Sequence, residues 1–154
     1  MFIPTDNKAM KEIYGNFYLW GLYSGLWIGN LGLSVNFKSI SKEGEPYTIG
    51  DVESASSSMS INQITISGLI KFSENKVITT YGGIGIGYAK INEKIEMTTL
   101  NNNYSDEIGI ETFEVHAMVG IKIKPFFIEI STSSLPYKNN INFGGITLCG
   151  GLIF

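Results

Sequence analysis

Ile64-Thr65-Ile66-Ser67-Gly68-Leu69-Ile70-Lys71-Phe72 and Phe113-Glu114-Val115-His116-Ala117-Met118-Val119-Gly120-Ile121-Lys122-Ile123 decide how this chain folds. In both segments every second residue is apolar or bare, and those between are mostly polar or small, with Leu69 the clearest interruption. A period of two puts alternate side chains on opposite faces and marks a strand; a helix would bring its apolar residues back every three to four positions. Working outward, Phe126, Ile128 and Ile130 alternate with Phe127, Glu129 and Ser131, and Leu31, Leu33, Val35 and Phe37 alternate with Gly32, Ser34, Asn36 and Lys38. Ser73–Lys76 and the break at Pro125 are short turns, whereas 39–60, 99–107 and 133–140 are long polar crossings. Short turns at one end and long loops at the other predict an antiparallel up-and-down sheet.

Alternation alone does not say which face meets water. In a soluble sheet the apolar face turns inward, and in a membrane barrel it turns to lipid while the polar face lines the interior. Gly83, Gly85, Gly87 and Ala89 oppose Ile84, Ile86 and Tyr88. A water-facing strand would favour Lys, Thr or Glu at those positions, and a narrow crowded interior favours small residues. Charged residues are 16% of the 154-residue chain, against about 25% in an average soluble domain. The chain is therefore poor in charge with which to coat a soluble surface, and its mean hydropathy is +0.12. A formal net charge of −3 gives no global attraction for nucleic acid. The expected partner is membrane lipid, or detergent in its place. Phe72, Phe126 and Phe154 fall at the short-turn ends, predicting a periplasmic aromatic belt, and Tyr47, Tyr104 and Tyr137 fall in the long loops.

Tyr81-Gly82-Gly83-Ile84-Gly85-Ile86-Gly87-Tyr88-Ala89 resembles a recurrent strand of small bacterial outer-membrane β-barrels, the superfamily of the OmpA and OmpX transmembrane domains. Gly144-Gly145-Ile146-Thr147-Leu148-Cys149-Gly150-Gly151-Leu152-Ile153-Phe154 is similar to that superfamily's last strand, although Cys149 and Gly150 depart from its pattern. The resemblance implies an all-β, closed antiparallel up-and-down transmembrane β-barrel of eight strands in the bacterial outer membrane. It also implies that Leu148, Leu152 and Phe154 form a C-terminal signal read by the outer-membrane assembly machinery. The clear segments, at 61–72, 77–97, 107–123, 125–133 and 141–154, leave six strands open as an alternative.

The N-terminal third fits least well. Residues 13–37 carry no charge, a span long enough for a transmembrane helix, and Gly21, Gly25 and Gly29 have helix-packing spacing. A short amphipathic helix through Met10, Ile13, Tyr14 and Phe17 is a second option. One or more strands between Tyr14 and Phe37 is the preferred reading. Residues 1–12 are then a lead-in and 13–154 the barrel domain. The first residues lack the basic and apolar regions of a secretory signal. A mature domain from which a signal has been removed is the expectation.

His116, the one histidine, shares a face with Glu114 and Lys122, and parity brings Glu129 and Lys71 to the same side. Two readings follow. A His and Glu polarising a serine such as Ser131 would make a lipid-modifying enzyme. Opposite charges filling a narrow interior would make a structural polar network, which is preferred because no nucleophile–base–acid spacing is visible. Cys149 shares the interior face; as the one cysteine it excludes an intrachain disulfide and is expected to be inert packing. No metal-ligand spacing or nucleotide loop is present, so no catalytic residue, metal or cofactor is assigned. The expected function is a small outer-membrane barrel with a filled polar lumen and a structural or loop-mediated interaction role, with the loops 39–60, 99–107 and 133–140 free to meet a surface ligand. The alternatives are the lipid-modifying enzyme, a soluble lipocalin-like ligand-binding barrel and a subunit of an oligomeric pore.

Overall fold

The computed structural model describes residues 1–4, 14, 18–44, 54–98, 102–137, 141, 142 and 144–152. Its strands are β1 (Phe2–Pro4), β2 (Leu19–Ile28), β3 (Leu31–Glu43), β4 (Ser54–Glu74), β5 (Ile78–Thr98), β6 (Asn103–Ile123), β7 (Phe126–Ser134), β8 (Pro136–Tyr137), β9 (Ile141–Asn142) and β10 (Gly145–Leu152). Eight of them form one antiparallel sheet in the order β1-β10-β7-β6-β5-β4-β3-β2, and β8 and β9 make a separate small ladder. The all-β, up-and-down expectation is met.

Several expectations change. β2 and β3 replace the transmembrane-helix option: Gly21 and Gly25 lie within β2, and Gly29 occupies the β2–β3 turn with φ of 60°, which a side chain would strain. No helix among the described residues is long and apolar enough to cross a membrane. Of the proposed amphipathic helix only Tyr14 is described; its ring is buried, and Met10, Ile13 and Phe17 lie outside the described residues. The stretch expected as a lead-in contributes Phe2–Pro4, which pair with Gly145–Thr147. The long crossings are shorter than expected, since β3 runs to Glu43, β4 begins at Ser54 and β6 begins at Asn103. Serine and threonine in the last positions of these strands disguised them as loop, yet the hydrogen-bonded register carries straight through.

The sheet is rolled. Tyr23 of β2 meets Phe127 of β7 at a ring separation of 5.8 Å, although four strands lie between them in the sheet order. Trp27 of β2 likewise meets Tyr81 of β5 edge to face at 5.9 Å. The rolled sheet brings the β2 edge toward the β10 edge. Those two strands run the same way because the intervening pairings are all antiparallel, and β1, antiparallel to β10, lies against its upper half. Among the described residues no ladder joins β2 to β1 or to β10.

Candidate functional site

The outward face is apolar over one band and polar beyond it, and the register makes the border sharp. Phe37, Ile64, Tyr88 and Phe113 lie side by side across β3, β4, β5 and β6. Two residues farther from the short turns, the outward row reads Ser39, Asn62, Lys90 and Glu111. Below the border come rows such as Val35, Ile66, Ile86 and Val115. These side chains are bare: Ile86 is 70% exposed, Phe113 77% and Val115 59%. On β6 the band runs from Phe113 to Ile123, ten residue steps. At about 3.4 Å each that is roughly 34 Å along the strand, or about 26 Å after a barrel-strand tilt of about 40°, which matches the ~25 Å apolar belt of a membrane barrel. Phe37, Tyr88 and Phe113 sit at its upper border with Trp20 one row above, opposite Ser39, and Phe72 and Phe126 are exposed near its lower one. Phe154, the third member of the expected lower belt, lies outside the described residues. Leu148 and Leu152, expected as part of a terminal signal, both face outward from β10.

The inward face inverts at the same height. Above the border, Ile40, Ile61, Ile91 and Ile110 form one continuous buried row across β3 to β6, with Met59 and the Tyr14 ring packed on it. Tyr14 donates from its hydroxyl to Glu93 Oε1 at 2.8 Å. Below the border the enclosed side chains are mostly polar, among them Ser34, Asn36, Lys38, Gln63, Thr65, Ser67, Glu114, His116, Glu129, Ser131 and Thr147, and lower still Leu69, Tyr81 and Met118 form a second, smaller apolar cluster with Trp27 packed on it. Outward positions are apolar where the interior is mostly polar, and polar where the interior is apolar.

The five residues expected to share the interior fall into two groups. Glu114 and His116 lie midway up, 1% and 3% exposed. His116 Nε2 and Ser67 Oγ, from β6 and β4, are 2.8 Å apart. Gly85 stands between them on β5: a Cβ there would come 2.5 Å from His116 Cε1, so only a bare residue lets the imidazole cross to β4. His116 Nδ1 is 3.8 Å from Glu114 Oε1, too far for a hydrogen bond. Lower down, Tyr81 donates its hydroxyl to Glu129 Oε2 at 3.1 Å. Lys122 Nζ lies over the Trp27 ring at 4.7 Å and the Tyr81 ring at 5.1 Å. Lys71 is at the lower rim, bound to both carboxylate oxygens of Glu74 at 3.0 and 2.9 Å, and stands 5.2 Å from the Trp27 ring.

A serine, a histidine and a carboxylate gathered in one interior invite comparison with a hydrolase, and the geometry argues against it. The serine is Ser67 and not Ser131, it is 0% exposed, and the Glu114–His116 gap leaves the imidazole unoriented. A nucleophile sealed among packed side chains reaches no substrate. Among the described residues no group of three His, Cys, Asp or Glu side chains is placed to hold a metal. Sequence reasoning passed over Lys38, Tyr81 and Trp27. Lys38 is buried in the border row, paired in register with Gln63. Its parity with Asn36 and Ser34 was the available signal. Tyr81 shares the parity of Gly83, Gly85 and Gly87, and Trp27 that of Tyr23.

The class that this arrangement defines is a rolled, antiparallel up-and-down sheet with an apolar outer belt and a polar, side-chain-filled interior. Among solved structures the chain is similar to Ail, the attachment invasion locus protein of Yersinia pestis, at 14% identity and a TM-score of 0.45, over 81% of this chain and 74% of that one. No family model and no curated protein matches the chain.

Proposed function

We propose that this chain is a bacterial outer-membrane β-barrel that holds a small sheet above the bilayer for contact with other molecules. The observation that carries the membrane half of this reading is the single register step from Phe37, Ile64, Tyr88 and Phe113 to Ser39, Asn62, Lys90 and Glu111, coincident with the inversion of the interior. A belt of exposed Ile, Val, Leu and Phe around a rolled sheet would aggregate in water and is stable against hydrocarbon. Eight strands close the wall when β1 lies between β10 and β2, since an even number is needed for every pairing to be antiparallel. The interior, filled by Glu114, His116, Glu129, Lys38 and Lys122 together with Tyr81, Trp27, Leu69 and Met118, favours a plugged barrel over a conducting one.

The contact role rests on the part of the sheet above the border, where β4, β5 and β6 remain paired as far as Ser54, Thr98 and Asn103. Its outward face carries Lys90, Lys94, Glu107 and Glu111, a charged surface suited to water and to polar partners. The folded chain should require detergent and migrate differently on gels with and without heating; a monodisperse detergent-free chain overturns the membrane reading.

A further inference from the structure

The apolar belt is not evenly ridged. On β5 its lower outward positions are Ile78, Thr80, Gly82 and Ile84, so a threonine and a bare glycine stand between two isoleucines. β4 meets this gap with a bulge: Lys71 pairs with Tyr81 and Ser73 with Thr80, which leaves Phe72 as the extra residue. A bulge re-aims a side chain out of the regular row. Phe72 is turned across β5, where a Cβ on Gly82 would come 2.5 Å from its Cζ. With Phe126 and Ile128 of β7 on the far side, the ring walls a groove of about 390 Å³ whose floor includes Thr80, Val119 and Ile121. The four strands that build it, β4 to β7, are hydrogen-bonded to one another, so the groove lies within the sheet and away from its edges. At its foot β5 and β6 end together, because Ile78 pairs with Ile123. The turns just beyond carry Lys76 and Lys124, both exposed. Asn75 fixes the first turn, its Oδ1 accepting from Val77 N at 2.9 Å and Ile78 N at 2.7 Å. Glu74, the nearby carboxylate, has both oxygens on Lys71. Among the described residues Lys76 and Lys124 are in no ion pair.

We infer that this groove holds one anionic phospholipid of the leaflet on the short-turn side, an acyl chain lying between Phe72 and Phe126 and the headgroup phosphate meeting Lys76 and Lys124. The inference rests on the outer-membrane reading. A chain seated in a groove touches side chains on its floor and both walls, whereas one lying on a ridge touches a single row, so the groove gains the greater dispersion contact. Two unpaired ammonium groups at headgroup level then select net negative charge at the end of that chain. A zwitterionic lipid offers the same chain but carries its own cation beside the phosphate, which the two lysines disfavour.

The test counts lipid on the folded full chain. The protein in non-ionic detergent is equilibrated with equal amounts of phosphatidylglycerol and phosphatidylcholine, and the lipid retained per chain is read by native mass spectrometry. One phosphatidylglycerol should be retained at least threefold above phosphatidylcholine. Replacing both lysines, Lys76→Gln with Lys124→Gln, should equalise the two lipids. Thr80→Phe, which fills the floor from the lipid side, should lower retention of both. Lys42→Gln, on β3 in the upper half, should leave the preference as it is. Equal retention by the unaltered chain, a preference that survives the double lysine variant, retention unchanged by Thr80→Phe, or a preference lost in Lys42→Gln overturns the inference. The same samples separate the two levels. A chain that needs detergent, shows the heat-dependent gel shift and retains both lipids equally refutes the groove alone. One that is monodisperse without detergent and retains neither lipid refutes the membrane reading with it.

Discussion

The lower and upper parts of the sheet are made of the same strands and obey opposite rules. On β6, Phe113, Val115 and Val119 face outward and Glu114 and His116 face inward, whereas a few residues earlier Glu107 and Glu111 face outward and Ile110 inward. Nothing in the backbone changes between the two, since the same ladder continues through both. What changes is the solvent that each half is built for. Burying an isoleucine stabilises a fold by removing apolar area from water, and where hydrocarbon surrounds the wall that gain is already available outside. The upper half accordingly has the row Ile40, Ile61, Ile91 and Ile110 as its core, and the lower half presents an exposed apolar belt around a mostly polar interior that also holds the Leu69, Tyr81 and Met118 cluster.

The largest effects should come from reversing either rule. Ile61→Ala removes a side chain that is 0% exposed from the upper core and is expected to cost about 2–5 kcal/mol in reversible unfolding. A neutral result would mean that the projecting half is not packed. Ile86→Arg puts a charge in the middle of the belt and should cost about 2–4 kcal/mol in a bilayer, where the arginine faces hydrocarbon. If the same variant is silent in lipid vesicles, the belt is not in contact with lipid.

Smaller effects sharpen the contrast. His116→Ala strands the Ser67 hydroxyl in the interior and should cost about 1–3 kcal/mol, with Ser67→Ala milder because the imidazole keeps space to reorient. Should His116→Ala raise stability instead, the enclosed polar group is being kept for something other than the fold. Glu111→Lys, one row above the border, is expected to change stability by less than about 0.5 kcal/mol. A cost near that of Ile86→Arg would move the border of the belt upward by at least one row.

How far the sequence could be read differs between the halves for a physical reason. In the lower half, outward Ile, Val and Phe alternate with inward Gly, Ser and Glu, and the contrast is strong enough to mark strands residue by residue. In the upper half, serines at positions 54 and 56–58 and Ser39 and Ser41 are ambivalent between loop and strand, so 39–60 read as one crossing although most of it is ladder. Of the interior groups, Glu114, His116, Lys122 and Glu129 were found by parity within a strand. Parity says which face a residue takes, but not which residue of a neighbouring strand it meets. Ser67 and not Ser131 therefore faces His116, and Lys71 leaves the others to bind Glu74.

The sequence by itself determined the strands of the lower half from Leu31 onward, their antiparallel up-and-down arrangement and the two kinds of face, because a period of two is a property of the chain alone. Only the tertiary structure decided that the four isoleucines line up into one row, that the apolar belt ends at a single height across four strands, and that Ser67 of β4 meets His116 of β6 across Gly85. Each of these depends on inter-strand register, and register is set by the hydrogen bonds between strands, which no single strand encodes.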